Sequence, residues 1–172
     1  VPGSQIYVAD NGSTKEQQEE CKKMCNEMDI DIHYGHISFD TNVNGKIVKK
    51  GNKTMAQYAA ICHLNNEVKY VTCIDDDTRL HETWDVNKVI KYFKEDENVV
   101  VLAYPLTADN PKNDIEWFQA IEYLISGFFK IFHSKVYSTI FNSGAFGTYR
   151  VDIVKEALLY HNTDYHGDDL QI

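Results

Sequence analysis

The sequence predicts an α/β fold in which helices cover a mostly parallel sheet. Short runs rich in β-branched and aromatic residues alternate with helical stretches along the chain, which is the pattern of strand–helix–strand units. Acidic residues also come directly after two of the predicted strands. In parallel sheets ligands bind beyond the carboxyl ends of the strands, so the acidic positions are candidates for a binding site.

The individual elements follow from periodicity and from capping residues. The predicted strands are 5–9, 32–37, 69–74, 99–104 and 140–149, and the predicted helices are 14–28, 54–64, 84–94, 114–132 and 151–160. Ser13 or Thr14 is expected to cap the first helix. Residues 38–50 are polar and are expected to form a loop or hairpin. The apolar run 99–104 predicts a strand that is buried on both faces.

Composition limits the class of protein. The chain has 172 residues, which predicts one domain over residues 1–172, and its 43% hydrophobic and 25% charged residues are ordinary for a globular fold. It has 26 Asp and Glu against 17 Lys and Arg, with no dense basic stretch, so broad nucleic-acid binding is excluded. No apolar run is long enough to span a bilayer. The four cysteines are expected to be reduced thiols.

Two strand ends carry the candidate acids. Asp10 follows the strand 5–9, and Asp75, Asp76 and Asp77 follow the strand 69–74. Three neighbouring carboxylates repel one another, and a divalent cation removes that conflict, since Mg²⁺ commonly takes one or two carboxylates. On an extended backbone Asp75 and Asp77 point to one side and Asp76 points away. A solvated acidic turn closing a strand is the alternative interpretation.

Five short segments, in order along nearly the whole chain, resemble one family. They are VADNGST (8–14), GNK (51–53) followed by Ala56 and Ala59, IDDDT (74–78), SGAFGTYR (143–150) and HGDDL (166–170). Together they resemble glycosyltransferase family 2, the inverting enzymes with a GT-A fold, a Rossmann-like three-layer sandwich. The chain looks most like the cytosolic catalytic domain of the membrane-embedded synthases that make hyaluronan, chitin and cellulose.

The resemblance implies a role for each matching residue. The donor would be a UDP-sugar and the acceptor a glycan hydroxyl, with Mg²⁺ or Mn²⁺ as the cofactor. The implied positions are Asp10 for the uracil base, Lys53 near the nucleotide, Asp75 and Asp76 for the donor, Asp75 and Asp77 for the metal, Gly144, Ala145 and Asp168 for the donor–acceptor junction, and Asp169 for the general base.

The chain departs from the family pattern at several points. Asn11 stands where the family has a second Asp, and Tyr58 stands where it has an Asn. The family's first strand and its QxxRW motif are absent, and so are membrane helices. We therefore expect a soluble piece, truncated at both ends, of a protein on the cytoplasmic face of a membrane.

The stretch 115–132 carries a wide apolar face. One interpretation is a helix packed on the sheet, and the other is a helix lying at a membrane interface.

Three alternatives to a processive synthase remain open. They are a non-processive family 2 transferase acting on a lipid or glycan, a catalytically inactive nucleotide-binding module, and a receiver-like signalling domain, which lacks its late Lys here.

Overall fold

The computed structural model describes residues 6–28, 32–37, 40–49, 51–136 and 145–160. The described residues group into two compact units. Unit one comprises the chain up to Lys69 together with the part that starts at Val154, and unit two comprises Tyr70–Ile153. The elements are β1 (Tyr7–Asp10), α1 (Lys15–Glu27), β2 (His33–His36), β3 (Thr41–Val43), β4 (Lys46–Val48), α2 (Lys53–Cys62), β5 (Tyr70–Ile74), α3 (Val86–Glu95), β6 (Val101–Ala103), α4 (Asp114–Val136), β7 (Phe146–Arg150) and α5 (Val151–Tyr160).

Unit one contains a parallel strand pair and a hairpin. β1 pairs with β2 in parallel, with Asp10 opposite His36. β3 and β4 form the hairpin, and its turn places Asn44 at φ 50° and Gly45 at φ 86°, which suits Asn and Gly because neither is strongly strained there. Thr14, one of the two predicted caps, begins α1 and forms a capping box with Gln17.

The core of unit one is built around α2. Asn52 caps this helix by accepting from the backbone N–H of Met55, and the helix then buries six of its side chains: Thr54, Met55, Ala56, Tyr58, Ala59 and Ile61. Tyr58, the departure from the family pattern, is 2% exposed and is therefore a core residue. Burial raises the pKa of its phenol, and a hydrogen bond with Cys62 adds to that effect.

Unit two contains a three-stranded sheet in the order β5-β7-β6. β7 runs antiparallel to both neighbours. α3 buries Val89 and Phe93, and the Phe93 ring stacks on Tyr70 at 4.7 Å. The Arg150 guanidinium, at the end of β7, donates to the carbonyls of Phe93 and Val99 at 2.9 and 2.8 Å. The first of these carbonyls belongs to the last turn of α3, where a positive charge also suits the helix dipole.

The structure confirms the predicted helices and the predicted strands within the described residues; the part of 140–149 before Ala145 lies outside them. The expectation of a doubly buried strand at 99–104 was wrong. β6 is half-buried and the preceding Val100 is 39% exposed; in the described part of the sheet β6 lies at an edge. β5 is likewise half-buried. All four cysteines are free thiols, as predicted.

α4 buries a single residue, and α1 buries none. Gly127 is the buried residue of α4, and the large apolar side chains of this helix are half or more exposed at most positions, including Phe118 at 73% and Phe128 at 65%. The prediction that this helix packs its apolar face into a core was wrong for the described chain. Within these ranges no helix combines the length and the hydropathy that a transmembrane span requires.

Candidate nucleotide and metal sites

Asp10 lies at the carboxyl end of β1 with its side chain 8% exposed. One carboxylate oxygen accepts from the Ser13 backbone N–H at 3.3 Å, and the other accepts from the Tyr34 hydroxyl. The second oxygen also lies 3.2 Å from Nδ1 of His36, close enough for an ion pair with a protonated imidazole, although the angle is not that of a hydrogen bond. The carboxylate is therefore held in one orientation from three directions.

This environment determines the charge of Asp10. Burial by itself raises the pKa of the carboxyl, but the hydrogen bonds from Tyr34 and Ser13 and the neighbouring His36 outweigh it, so the pKa of Asp10 is below its ordinary value of 3.8. Besides burial, the hydrogen bond between Tyr34 and Asp10 shifts the pKa of the Tyr34 phenol upward. Burial and the Asp10 carboxylate raise the pKa of Tyr34, which keeps that hydroxyl protonated as a donor. Asp10 is thus a fixed, ionised acceptor near neutral pH.

Asn11 joins the loop after β1 to the segment before α2. Its Oδ1 accepts from the Gly51 N–H at 2.8 Å, and its Nδ2 donates to the carbonyls of Asn52 at 2.8 Å and Lys49 at 3.1 Å. Two glycines in this contact have backbone conformations that other residues rarely adopt. Gly12 has φ +119° and Gly51 has φ +78°, so a side chain at either position would be strained.

Lys53 is the first residue of α2 and is exposed. The buried residues of the first turn of α2 anchor the backbone that carries it. Since Asn11 hydrogen-bonds the carbonyl of Asn52, the structure brings the segment of Lys53 beside the loop that follows Asp10. These two sequence-predicted residues therefore belong to one part of unit one.

In unit two, Asp75 follows β5 directly and begins a turn that the Thr78 N–H closes by donating to the Asp75 carbonyl at 3.1 Å. Asp75 is half-buried, while Asp76 and Asp77 are exposed. The expectation that an extended backbone places Asp75 and Asp77 on one side was wrong, because Asp76 and Asp77 occupy the middle of this turn. The alternation rule applies only to strands.

The structure brings the acidic turn beside Ala145. The Asp75 N–H donates to the Ala145 carbonyl at 2.9 Å, continuing the β5–β7 ladder by one bond. Below the turn, the Thr148 hydroxyl lies 2.8 Å from the hydroxyls of both Thr72 and Tyr104, so β5, β7 and the chain after β6 are tied together. The predicted donor acid and the predicted junction residue thus share one strand end.

The acidic turn, all of which the structure describes, offers carboxylates but does not by itself form a complete metal site. In the described part of the chain no group of three or more His, Cys, Asp or Glu side chains is arranged to hold a metal by itself. Asp75 and Asp77 can each supply one carboxylate, and Mg²⁺ commonly takes one or two carboxylates when phosphate and water supply the rest. A dedicated all-protein cage is therefore not what these residues offer.

Three predicted positions, Gly144, Asp168 and Asp169, lie outside the described residues. In contrast, the structure adds residues that the sequence interpretation missed. Tyr34 and His36 hold the Asp10 carboxylate, and Asn11 had been noted only as a departure. The sequence did contain an indication for His36: it is the last residue but one of the predicted strand 32–37, and the carboxyl ends of parallel neighbours meet at one edge of a sheet.

Comparison with known proteins assigns the family. The family model described as glycosyl transferase family 2 matches residues 2–158. The chain therefore belongs to glycosyltransferase family 2. Membership in this family implies the GT-A fold and the binding of a nucleotide-sugar donor, and it confirms the predicted fold class. No curated protein matched the chain significantly.

Proposed function

We propose that residues 1–172 belong to a single catalytic domain that transfers a sugar from a UDP-sugar to a glycan hydroxyl with inversion. The observation that carries the proposal is the fixed, ionised Asp10 carboxylate at the end of β1 in a chain of this family. Such an acceptor suits the N–H donor of a uracil ring, because the orientation is set before the ligand arrives. Lys53 would supply positive charge near the nucleotide.

The remaining roles follow the family pattern. Asp75, Asp76 and Asp77 would bind the donor, with Mg²⁺ or Mn²⁺ held by Asp75 and Asp77. The metal would neutralise negative charge on the departing UDP. Asp169 would take the proton of the acceptor hydroxyl. The oxygen of that hydroxyl attacks the anomeric carbon of the sugar while the bond between this carbon and UDP breaks. Gly144, Ala145 and Asp168 would line the junction of donor and acceptor.

The direct test uses the full-length protein in membranes. UDP-sugars are supplied one at a time with Mg²⁺ or Mn²⁺, and UDP release and product length are measured. Long polymer would support a processive polysaccharide synthase, which is the function we propose. A single added sugar would support a non-processive transferase, and UDP binding without turnover would support an inactive module. In the active protein, Asp169→Asn should abolish transfer while UDP still binds; unchanged transfer would remove the base assignment.

We also propose that α4 lies on a membrane surface. The helix faces the chain after β6 with its small and polar side: Tyr123, Ser126, Gly127 and Lys130 line a shallow pocket with residues 104–106. A Cβ on Gly127 would lie 3.6 Å from the Pro105 side chain, so the contact is close. The apolar side, with Leu124, Phe128 and Phe132, is left exposed. An amphipathic helix with a wide apolar face binds in the interface plane.

Vesicle flotation tests this role. Neutral phosphatidylcholine vesicles are used because the chain carries a formal net charge of −9, so attraction to anionic lipid is not expected. The double variant Phe128→Ser/Phe132→Ser should lose association, and Gln119→Ser on the polar side should keep it. No association of the unmodified chain would contradict the membrane role.

A further inference from the structure

The side chain of Asn11 both donates and accepts hydrogen bonds, and the Asp that is usual in the family could not do both. Its amide accepts from the N–H of Gly51 and donates to the carbonyls of Lys49 and Asn52. A carboxylate has no donor at neutral pH, so an Asp at this position would keep the first bond only. It would also place negative charge against two carbonyl oxygens.

The bonds of Asn11 span distant parts of the chain. Its partners lie 38 to 41 positions further along, so the side chain closes a loop rather than a local turn. The carbonyl of Asn52 also accepts from Ala56 N–H at 3.0 Å as the first helical hydrogen bond of α2. Asn11 therefore bonds the same carbonyl that starts the helix carrying Lys53.

We propose that Asn11 is a positioning residue that sets Lys53 for the donor nucleotide, acting through the backbone of Gly51 and Asn52. This inference rests on the proposed function. Asp10 is contacted by Tyr34, Ser13 and His36, whereas the Asn11 amide links the backbone just before Lys53 to the loop that follows Asp10. Replacement of the family's Asp by Asn11 is then a structural adaptation and not a loss of a ligand.

A double-mutant cycle separates positioning from general stability. Binding of UDP with Mg²⁺ to the full-length protein is measured by calorimetry for the unmodified protein, Asn11→Ala, Lys53→Ala and the double variant. Asn11→Ala should weaken UDP affinity about tenfold in the unmodified background and by less than about threefold when Lys53 is already Ala, since residues that act as a unit are not additive. Fully additive effects would overturn the inference.

Asn52→Asp is the matched control for charge. It lies in the same segment as the Asn11 contacts, and its carboxylate can still accept from Met55 N–H as a helix cap. Asn11→Asp should weaken UDP binding clearly more than Asn52→Asp, because only the former removes the two donated bonds. Equal weakening would point to charge alone and would contradict a positioning role.

Amide hydrogen exchange of the unmodified protein tests the inference without any substitution. The Gly51 amide should exchange slowly without UDP, because Asn11 already holds it, and fast exchange would overturn the inference. Absence of UDP binding to the unmodified protein would overturn the proposed function and this inference together. Binding with additive effects would overturn the inference alone.

Discussion

Two strand ends of this protein carry acids proposed to bind the donor, and they are built differently. At the end of β1 a single carboxylate, Asp10, is 8% exposed and is held by Tyr34, Ser13 and His36. At the end of β5 the acids lie on a turn, with Asp76 and Asp77 exposed to solvent. The first site is fixed by the protein, and the second presents its side chains to water.

The difference fits the two kinds of ligand. A base is read by the direction of its hydrogen bonds, which requires an acceptor in a set orientation. Mg²⁺ keeps several waters and takes phosphate oxygens, so hydrated carboxylates on a turn suit it better than a rigid cage. Substitutions at the β1 end should therefore affect both binding and stability, whereas substitutions at the β5 end should affect binding alone.

The largest expected effect is at Asp77. Asp77→Ala should remove metal-dependent UDP binding in full-length protein, an affinity loss of at least about tenfold, because one of the two proposed metal ligands is deleted. Calorimetry with and without Mg²⁺ or Mn²⁺ measures it. The melting temperature should be unchanged, since Asp77 is exposed.

Asp76→Ala is the control for the acidic turn. It removes one negative charge and a proposed donor contact from the same turn, but no proposed metal ligand, so UDP affinity should fall clearly less than in Asp77→Ala. Retention of metal-dependent binding in Asp77→Ala would remove Asp77 as a ligand.

An intermediate effect is expected at Asp10, in both binding and stability. Asp10→Asn should weaken UDP binding and lower the free energy of unfolding by about 1–3 kcal/mol, since hydrogen bonds to a buried charged group are lost. Urea denaturation measures the second quantity. Asp76→Asn makes the same chemical change at an exposed site and should leave stability nearly unaltered; equal destabilisation would break the comparison between the two strand ends.

The smallest expected effect is the pH dependence of the stability that the Asp10 carboxylate contributes. The folded-state pKa of Asp10 is lowered, so its contribution is present above the unfolded-state value and is lost as the pH falls through the folded-state value. The stability difference between the unmodified protein and Asp10→Asn should be constant above about pH 5 and should shrink at lower pH. Denaturation series at several pH values measure it. A difference that grows on acidification would contradict the assigned sign.

Most of the local structure could be predicted from the sequence. Ser13 or Thr14 was predicted to cap α1, and Thr14 does so. The polar stretch 38–50 predicted a loop or hairpin, and the alternation of strand and helix patterns predicted the α/β class. The positions of Asp10 and Asp75 at strand ends followed from the same reading. These features depend on interactions between residues a few positions apart, which a single sequence displays.

Burial was predicted less well, for a physical reason. Residues 99–104 and 115–132 are both apolar, and the first was expected to be doubly buried. The structure leaves β6 half-buried and the apolar side of α4 exposed. Hydrophobic composition shows which side chains gain from leaving water, but the partner that covers them is set by strand order and by neighbouring surfaces.

By itself the sequence determined the family, the order of helices and strands, and the acids at the two strand ends. Each of these features depends on residues that are close together in the sequence. Only the tertiary structure decided that Tyr34 and His36 hold Asp10, that Asn11 bonds a segment about forty positions away, and that Asp76 and Asp77 lie in a turn. Contacts between distant residues depend on how strands pair and how loops approach, and no local pattern records that.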